Sequence, residues 1–250
     1  MGKNHGEVKM RVVYLPFKWL GIIAGMAVLL GLSLIITMFQ QQAGIFTSGS
    51  GAVYQGNSGG KAVAITVNVD WGGEYIPQML EAFQRYDARA TFFVTGKWAE
   101  NNPELMKTMA AANHSIQNHG YKHVHFNSLN AAQVQAQIKQ AEDVIFAATG
   151  RKTAFFAPPY GEQNGPLVAA VNDLGYQYIL WSVDTIDWQK PAPQVIVQRV
   201  MKKVHNDAII LMHPTEPTVA ALPAILAGLR EQGYKMVPIE ELVTPPAAEQ

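Results

Sequence analysis

From Lys61 onward the chain alternates short runs of β-branched and aromatic residues with stretches whose apolar residues recur at helical spacing. Parallel strands need long crossovers and helices supply them, so this order argues an α/β fold: a parallel sheet with helices outside. Residues 62–69 (AVAITVNV), 91–95 (TFFVT), 115–117, 153–156, 178–183, 208–212 and 235–238 read as strands. Between the first two, Ile76, Met79, Leu80 and Phe83 repeat as one helical face. Pro103 opens a second helix, and residues 131–148 carry Val134, Ile138, Ala141 and Ile145 on one side before Gly150. Further helices fall at 166–174, 193–204 and 219–232, and no segment repeats another. Periodicity leaves a barrel and a doubly wound sheet both open. Either one places chemistry where strands end at their carboxyl side.

Polar, proline or tryptophan residues gather at five such ends: 68–72, 119–123, 158–160, 184–188 and His213. The richest is the segment 118–125 (NHGYKHVH), with three of the chain's seven histidines. His119 and His123 stand at i and i+4, which on a helical turn puts both imidazoles on one side, close enough to share a cation. A solvated polar loop is the alternative. Cysteine is absent, which excludes disulfides, thiolate zinc sites and a cysteine nucleophile. Formal charge is zero and only 15% of residues are charged, so nothing in the balance argues for nucleic acid.

Residues 19–39 (WLGIIAGMAVLLGLSLIITMF) form an uncharged apolar run long enough to cross a hydrocarbon core of about 30 Å. Lys3, Lys9, Arg11 and Lys18 precede it, and no lysine or arginine comes after it until Lys61. That asymmetry keeps residues 1–18 in the cytoplasm and exports the chain beyond residue 39. A cleavable signal peptide is the rival, but the run exceeds an h-region and no A-x-A site comes after it, so an uncleaved single-pass anchor is expected. Residues 40–60, rich in Gly, Ser and Gln, read as a flexible tether to a domain over 61–245.

The strand-end segments together resemble the polysaccharide deacetylase family (NodB homology domain, carbohydrate esterase family 4) over roughly 61–242. His119-Gly-Tyr-Lys-His123 is similar to the family's H-x-x-x-H metal segment and Phe156-Ala-Pro-Pro-Tyr-Gly161 to its F-R-P-P-Y-G loop. Asp184-Thr-Ile-Asp187-Trp188 resembles its D-x-x-D-W, and Leu211-Met-His213 its L-x-H. The segment from Thr66 to Gly72, with Glu74 to Pro77 after it, looks most like a membrane-anchored subgroup associated with sporulation. The resemblance implies a distorted, incomplete (β/α) barrel that removes N-acetyl groups from cell-wall glycan, peptidoglycan or chitin-like. It implies a divalent metal, zinc or else cobalt or manganese, on His119 and His123. It makes His213 the general acid, held and charged by Asp187, and gives the Tyr160 backbone N–H to the oxyanion. Pro158, Trp188 and Leu211 would touch substrate. Without the resemblance, Trp188 and Leu211 serve equally well in a core, Asp187 as a helix cap and Tyr160-Gly161 as a turn.

The chain departs from the pattern at its first segment. Where the family reads T-F-D-D, with a base and then a metal carboxylate, this sequence has Asn68 and Val69; the arginine that steadies the base is Ala157. An amide accepts no proton at neutral pH and an isopropyl group ligates nothing. Asp70 is the nearest replacement, as third metal ligand or as base, with Glu74 and Glu162 further candidates. Two functions are compatible with this: a weak or specialised metal-dependent deacetylase, or a binding module that holds glycan or a partner without chemistry.

Overall fold

The computed structural model describes residues 51–243. The apolar run 19–39 and the basic segment before it lie outside them. Among the described residues no helix is long and apolar enough to cross a membrane.

The elements keep to the expected alternation. In chain order they are β1 (Ala62–Val69), α1 (Ile76–Arg85), β2 (Thr91–Val94), α2 (Gly96–Asn101), α3 (Pro103–Ala111), β3 (Ser115–Asn118) and α4 (Ala131–Thr149). Then come β4 (Phe155–Phe156), α5 (Gly165–Asn172), β5 (Gln177–Tyr178), β6 (Val183–Asp184), α6 (Pro193–Lys203), β7 (Ala208–Met212), α7 (Glu216–Glu231), β8 (Lys235–Met236) and α8 (Ile239–Val243). The strands form one parallel sheet in the order β5-β4-β3-β2-β1-β7-β6, with β8 paired to the start of β1. The sheet curls into an incomplete barrel.

β1 is buried along its whole length, as a central parallel strand covered on both faces must be. Its alternation divides the core. Val63, Ile65, Val67 and Val69 join the apolar cluster between sheet and helices, with Ile76, Met79, Phe83, Ile210 and Leu226. Ala62 and Ala64 join the barrel interior with Phe93, Phe155, Ala157 and Ile209. With a period of two, Thr66 and Asn68 continue that inner row toward the carboxyl end. The helices are punctuated as their sequences require. Asn130 and Gln133 form a capping box on α4, which Gly150 ends at φ 69°.

The strand expected over 178–183 is one extended passage that changes partners midway. Tyr178 pairs with Phe156 of β4, whereas Val183 pairs with Ile210 of β7. β5 and β6 are therefore opposite edges of the curled sheet, and the residues between them carry the chain across the gap. Val53 docks on one side of that gap, donating to the Tyr178 carbonyl and accepting from the Leu180 N–H, both at 2.8 Å, and Gln55 bridges to Ala208 at the start of β7. Gly56 and Ser58 bind Asp207, and Asn57 binds the Leu242 carbonyl. So the last part of the segment expected as a free tether is docked: the passage from β5, the start of β7 and the Leu242 carbonyl offered it backbone partners.

One buried group makes stability depend on pH. His114, 2% exposed, accepts the Ala90 N–H on Nδ1 at 3.0 Å and lies against Phe83 and Phe92. Burial pushes its pKa down to about 4 from an ordinary 6.5. The unfolded chain thus takes up a proton that the folded chain refuses, and stability falls as pH drops from about 6.5 toward 4. The whole window is worth about 3 kcal/mol. Urea unfolding at a series of pH values should show this decline, flattened in a His114→Gln protein; equal slopes in the two would remove His114 as its source.

Candidate functional site

The carboxyl ends of β1, β3, β4, β6 and β7 surround a cleft of about 450 Å³. It is lined by Asn68, Trp71, His119, His123, Tyr160, Gly161, Trp181, Asp184, Trp188, Leu211 and His213.

β3 delivers the first histidine. Asn118, fully buried, donates to the Ile138 carbonyl and accepts from the Gly120 N–H, both at 2.8 Å, which pins the start of the loop. Gly120 has φ 80°, and a Cβ there would meet the Phe126 ring at 2.6 Å, so the turn that brings His123 back requires glycine. His119 donates from Nδ1 to the Ala157 carbonyl at 2.7 Å, leaving Nε2 as the lone-pair nitrogen. The two rings stand 5.3 Å apart at 61°. Burial, and then the neighbouring His123, lower the His119 pKa to about 3. His123 is lowered too, by burial against the opposing pull of Asp70. Both imidazoles are neutral at pH 7.

β7 delivers His213, whose Nδ1 donates to Asp187 Oδ1 at 2.8 Å. Asp187 is fully buried, and its Oδ2 accepts the His213 backbone N–H at 2.7 Å and the Thr218 hydroxyl at 2.6 Å. The turn that aims Asp187 runs through Ile186 at φ 50°, a left-handed conformation costly for a β-branched residue. Asp184 Oδ1 holds the Ile186 N–H at 2.8 Å, and Arg199 donates to the Thr185 carbonyl at 2.7 Å. Trp188 comes next, over half exposed at the rim, while Leu211 lies buried in the wall. Tyr160, also left-handed at φ 60°, stands at the mouth with its ring 4.5 Å from His123 and stacked 4.0 Å from His125.

The structure therefore brings together His119, His123, His213, Asp187, Tyr160, Trp188 and Leu211. Others stand apart. Pro158 is buried behind its loop and does not line the cleft. Asp70 Oδ1 accepts from the Thr95 hydroxyl at 2.7 Å, the same hydroxyl that caps α2. Glu74 is exposed and away from the lining. Glu162 accepts from the Asn127 N–H at 2.9 Å and pairs with His125 at 2.6 Å; these bonds outweigh burial and lower its pKa. Trp71 and Trp181 went unassigned in the sequence. Trp71 lies parallel to His213 at 6.2 Å, and Trp181 covers Gly161 closely enough that a Cβ there would meet it at 2.6 Å. Trp71 carried a signal, a tryptophan beside glycine at the carboxyl end of β1, whereas Trp181 lies inside the run 178–183 and carried none.

A family model described as polysaccharide deacetylase matches residues 55–179. A peptidoglycan-N-acetylglucosamine deacetylase from Bacillus cereus is 33% identical over 73% of this chain and 88% of its own length. The chain belongs to the polysaccharide deacetylase family. An uncharacterized Bacillus subtilis protein, YlxY, is 39% identical across 76% of this chain, which spans 60% of that relative. A solved structure from Bacillus anthracis, described as a carbohydrate esterase family 4 pseudoenzyme, is 40% identical with a TM-score of 0.76, covering 79% of this chain and 71% of its own. A mutant of that pseudoenzyme is described as having restored enzymatic activity.

Deacetylases of this family are generally metal-dependent, and the donors assembled in this structure fall short of the set such a metal takes. Among the described residues no group of three His, Cys, Asp or Glu side chains is assembled to hold an ion. Two imidazoles converge and Val69 is packed into the outer core, while Asp70, whose charge acts on His123, has its Oδ1 held by Thr95. Zinc in protein sites ordinarily takes at least three protein ligands.

Proposed function

We propose that this polysaccharide deacetylase homologue holds N-acetylated cell-wall glycan, peptidoglycan or chitin-like, in the cleft without deacetylating it at family rates. One observation carries this. Asn68, at the place of the family's base, lines the cleft with an amide that accepts no proton. Ala157, at the place of the steadying arginine, is buried among apolar residues. The pseudoenzyme relative, one of whose mutants regained activity, supports the same reading. The cleft has the size and aromatic rim for a sugar unit. The apolar run at 19–39 supports a single-pass anchor holding this domain outside the cell membrane, as in the sporulation-associated subgroup it resembles.

Acetate release from N-acetylated glycan, with Zn²⁺, Co²⁺ or Mn²⁺ added, should be at background for the native chain. Asn68→Asp combined with Ala157→Arg should raise it by roughly 10²–10⁴, the usual worth of a positioned base. The substitutions belong together, because an arginine alone at buried Ala157 would be an unpaired charge. Native activity that disappears in both His119→Ala and His213→Ala proteins would overturn the proposal.

A second reading, a slow metal-dependent deacetylase, is favoured by the intact His213–Asp187 pair beside two neutral imidazoles. An imidazolium steadied by a buried carboxylate is a competent proton donor to a leaving amine. The acetate assay separates the two.

A further inference from the structure

Asn68 is 7% exposed, lines the cleft, and leaves its Oδ1 buried with no hydrogen-bond partner. Thr66, one step back in the same inner row, is satisfied, donating to the Ile210 carbonyl at 3.2 Å. A buried amide oxygen without a partner is a standing cost to the fold, of the kind native proteins keep where a ligand uses the group. No hydrogen bond at Oδ1 selects one orientation of the amide over its half-turned alternative. A half-turn exchanges its donor and acceptor ends at the cleft face.

The carboxylates around the cleft are partly or wholly spent within the protein. Asp187 receives three donors, one oxygen of Asp184 takes the Ile186 N–H, and Oδ1 of Asp70 takes the Thr95 hydroxyl. Trp71, Trp181, Trp188 and Leu211 supply apolar wall. An acetamido group matches this lining, with one N–H donor, one carbonyl acceptor, a methyl group and no charge. The free amine of a de-N-acetylated sugar is an ammonium at neutral pH, and stripping its water against such a wall is costly.

We propose that Asn68 reads the N-acetyl group: its side-chain amide hydrogen-bonds the acetamido group of an N-acetylhexosamine, so the cleft distinguishes acetylated glycan from its de-N-acetylated form. This deepens the glycan-binding reading and rests on it. The residue that removes the base is then the residue that recognises the group left in place.

The test is isothermal titration of the full-length chain, with EDTA present, against chitotetraose and against its fully de-N-acetylated counterpart. The native chain should bind the acetylated oligomer at least about tenfold more tightly, the scale of one or two well-made hydrogen bonds. Asn68→Leu, close in volume, should lose about that factor and most of the discrimination. Its thermal midpoint should hold or rise, because an unpaired buried oxygen has gone; a merely structural asparagine would lower it. Asn68→Asp should shift preference toward the amine oligomer by placing a carboxylate beside its ammonium. Equal binding of both oligomers by the native chain, or a ratio unchanged in both variants, overturns the role of Asn68 and leaves glycan binding standing. Binding of neither oligomer overturns the reading beneath it.

Discussion

Asp187→Ala should cost the protein about 3–5 kcal/mol, the scale of breaking a buried charged network by removing one member. Asp187 is fully buried and receives three hydrogen bonds, from His213 Nδ1, the His213 backbone N–H and the Thr218 hydroxyl. Alanine would leave all three donors facing an apolar space. Thr218 stands in the first turn of α7, where Thr215 caps the helix through the Thr218 N–H at 3.1 Å. One carboxylate therefore ties the β6 turn to the end of β7 and the start of α7. Asp187→Asn keeps one acceptor oxygen but turns an N–H₂ toward a donor, so it too should destabilise, by less. Urea unfolding at pH 7 measures both. A loss below about 1 kcal/mol in the alanine variant would show that water or a rearranged turn replaces the carboxylate.

The alternation of strands and helices was legible because each helix carries its apolar face at i, i+3, i+4 and each strand is short and β-branched. Ile76, Met79, Leu80 and Phe83, expected on one face of α1, are all buried there. The strand-end rule also located the cleft. What the sequence hid lies in three dimensions. Nothing in residues 178–183 says that Tyr178 and Val183 pair with opposite edges of one curled sheet. Composition made 40–60 a tether, yet Val53, Gly56 and Asn57 find backbone partners that only the folded domain presents. Ile186 in a left-handed turn runs against its own preference, and Asp184 and Arg199, from two different elements, hold it there. Asp70, the nearest replacement for the missing carboxylate, has its Oδ1 held by Thr95, twenty-five residues on, a partner that nothing near it in the sequence announces.

Val69→Asp, the substitution that most literally returns the chain to the family's paired carboxylates, should destabilise it by several kcal/mol at pH 7, as burying an unpaired carboxylate does. Val69 has no exposed surface and belongs to the cluster between the sheet and the helices, with Val67, Ile76, Met79 and Trp98. Its backbone is fixed as well: it is in register with Val94, and its carbonyl accepts the Thr95 N–H at 3.0 Å. A carboxylate introduced there has no donor awaiting it. Its folded pKa would lie above the unfolded value, so the variant should recover part of its stability as pH falls toward 4–5. The asymmetry with position 68 comes from strand alternation alone. Asn68 continues the inner row and lines the cleft, so an aspartate there meets the site; one at 69 meets the core. Urea unfolding of Val69→Asp at pH 7 and pH 5, beside a Val69→Ala control expected to lose about 1–2 kcal/mol, separates buried charge from lost volume. Native-like stability together with tight Co²⁺ binding would show that the end of β1 can turn its side chain inward. A pH-dependent loss beyond the alanine control would instead mean that the second family carboxylate cannot be returned by exchanging Val69 alone, and that the end of β1 has to be rebuilt to place it.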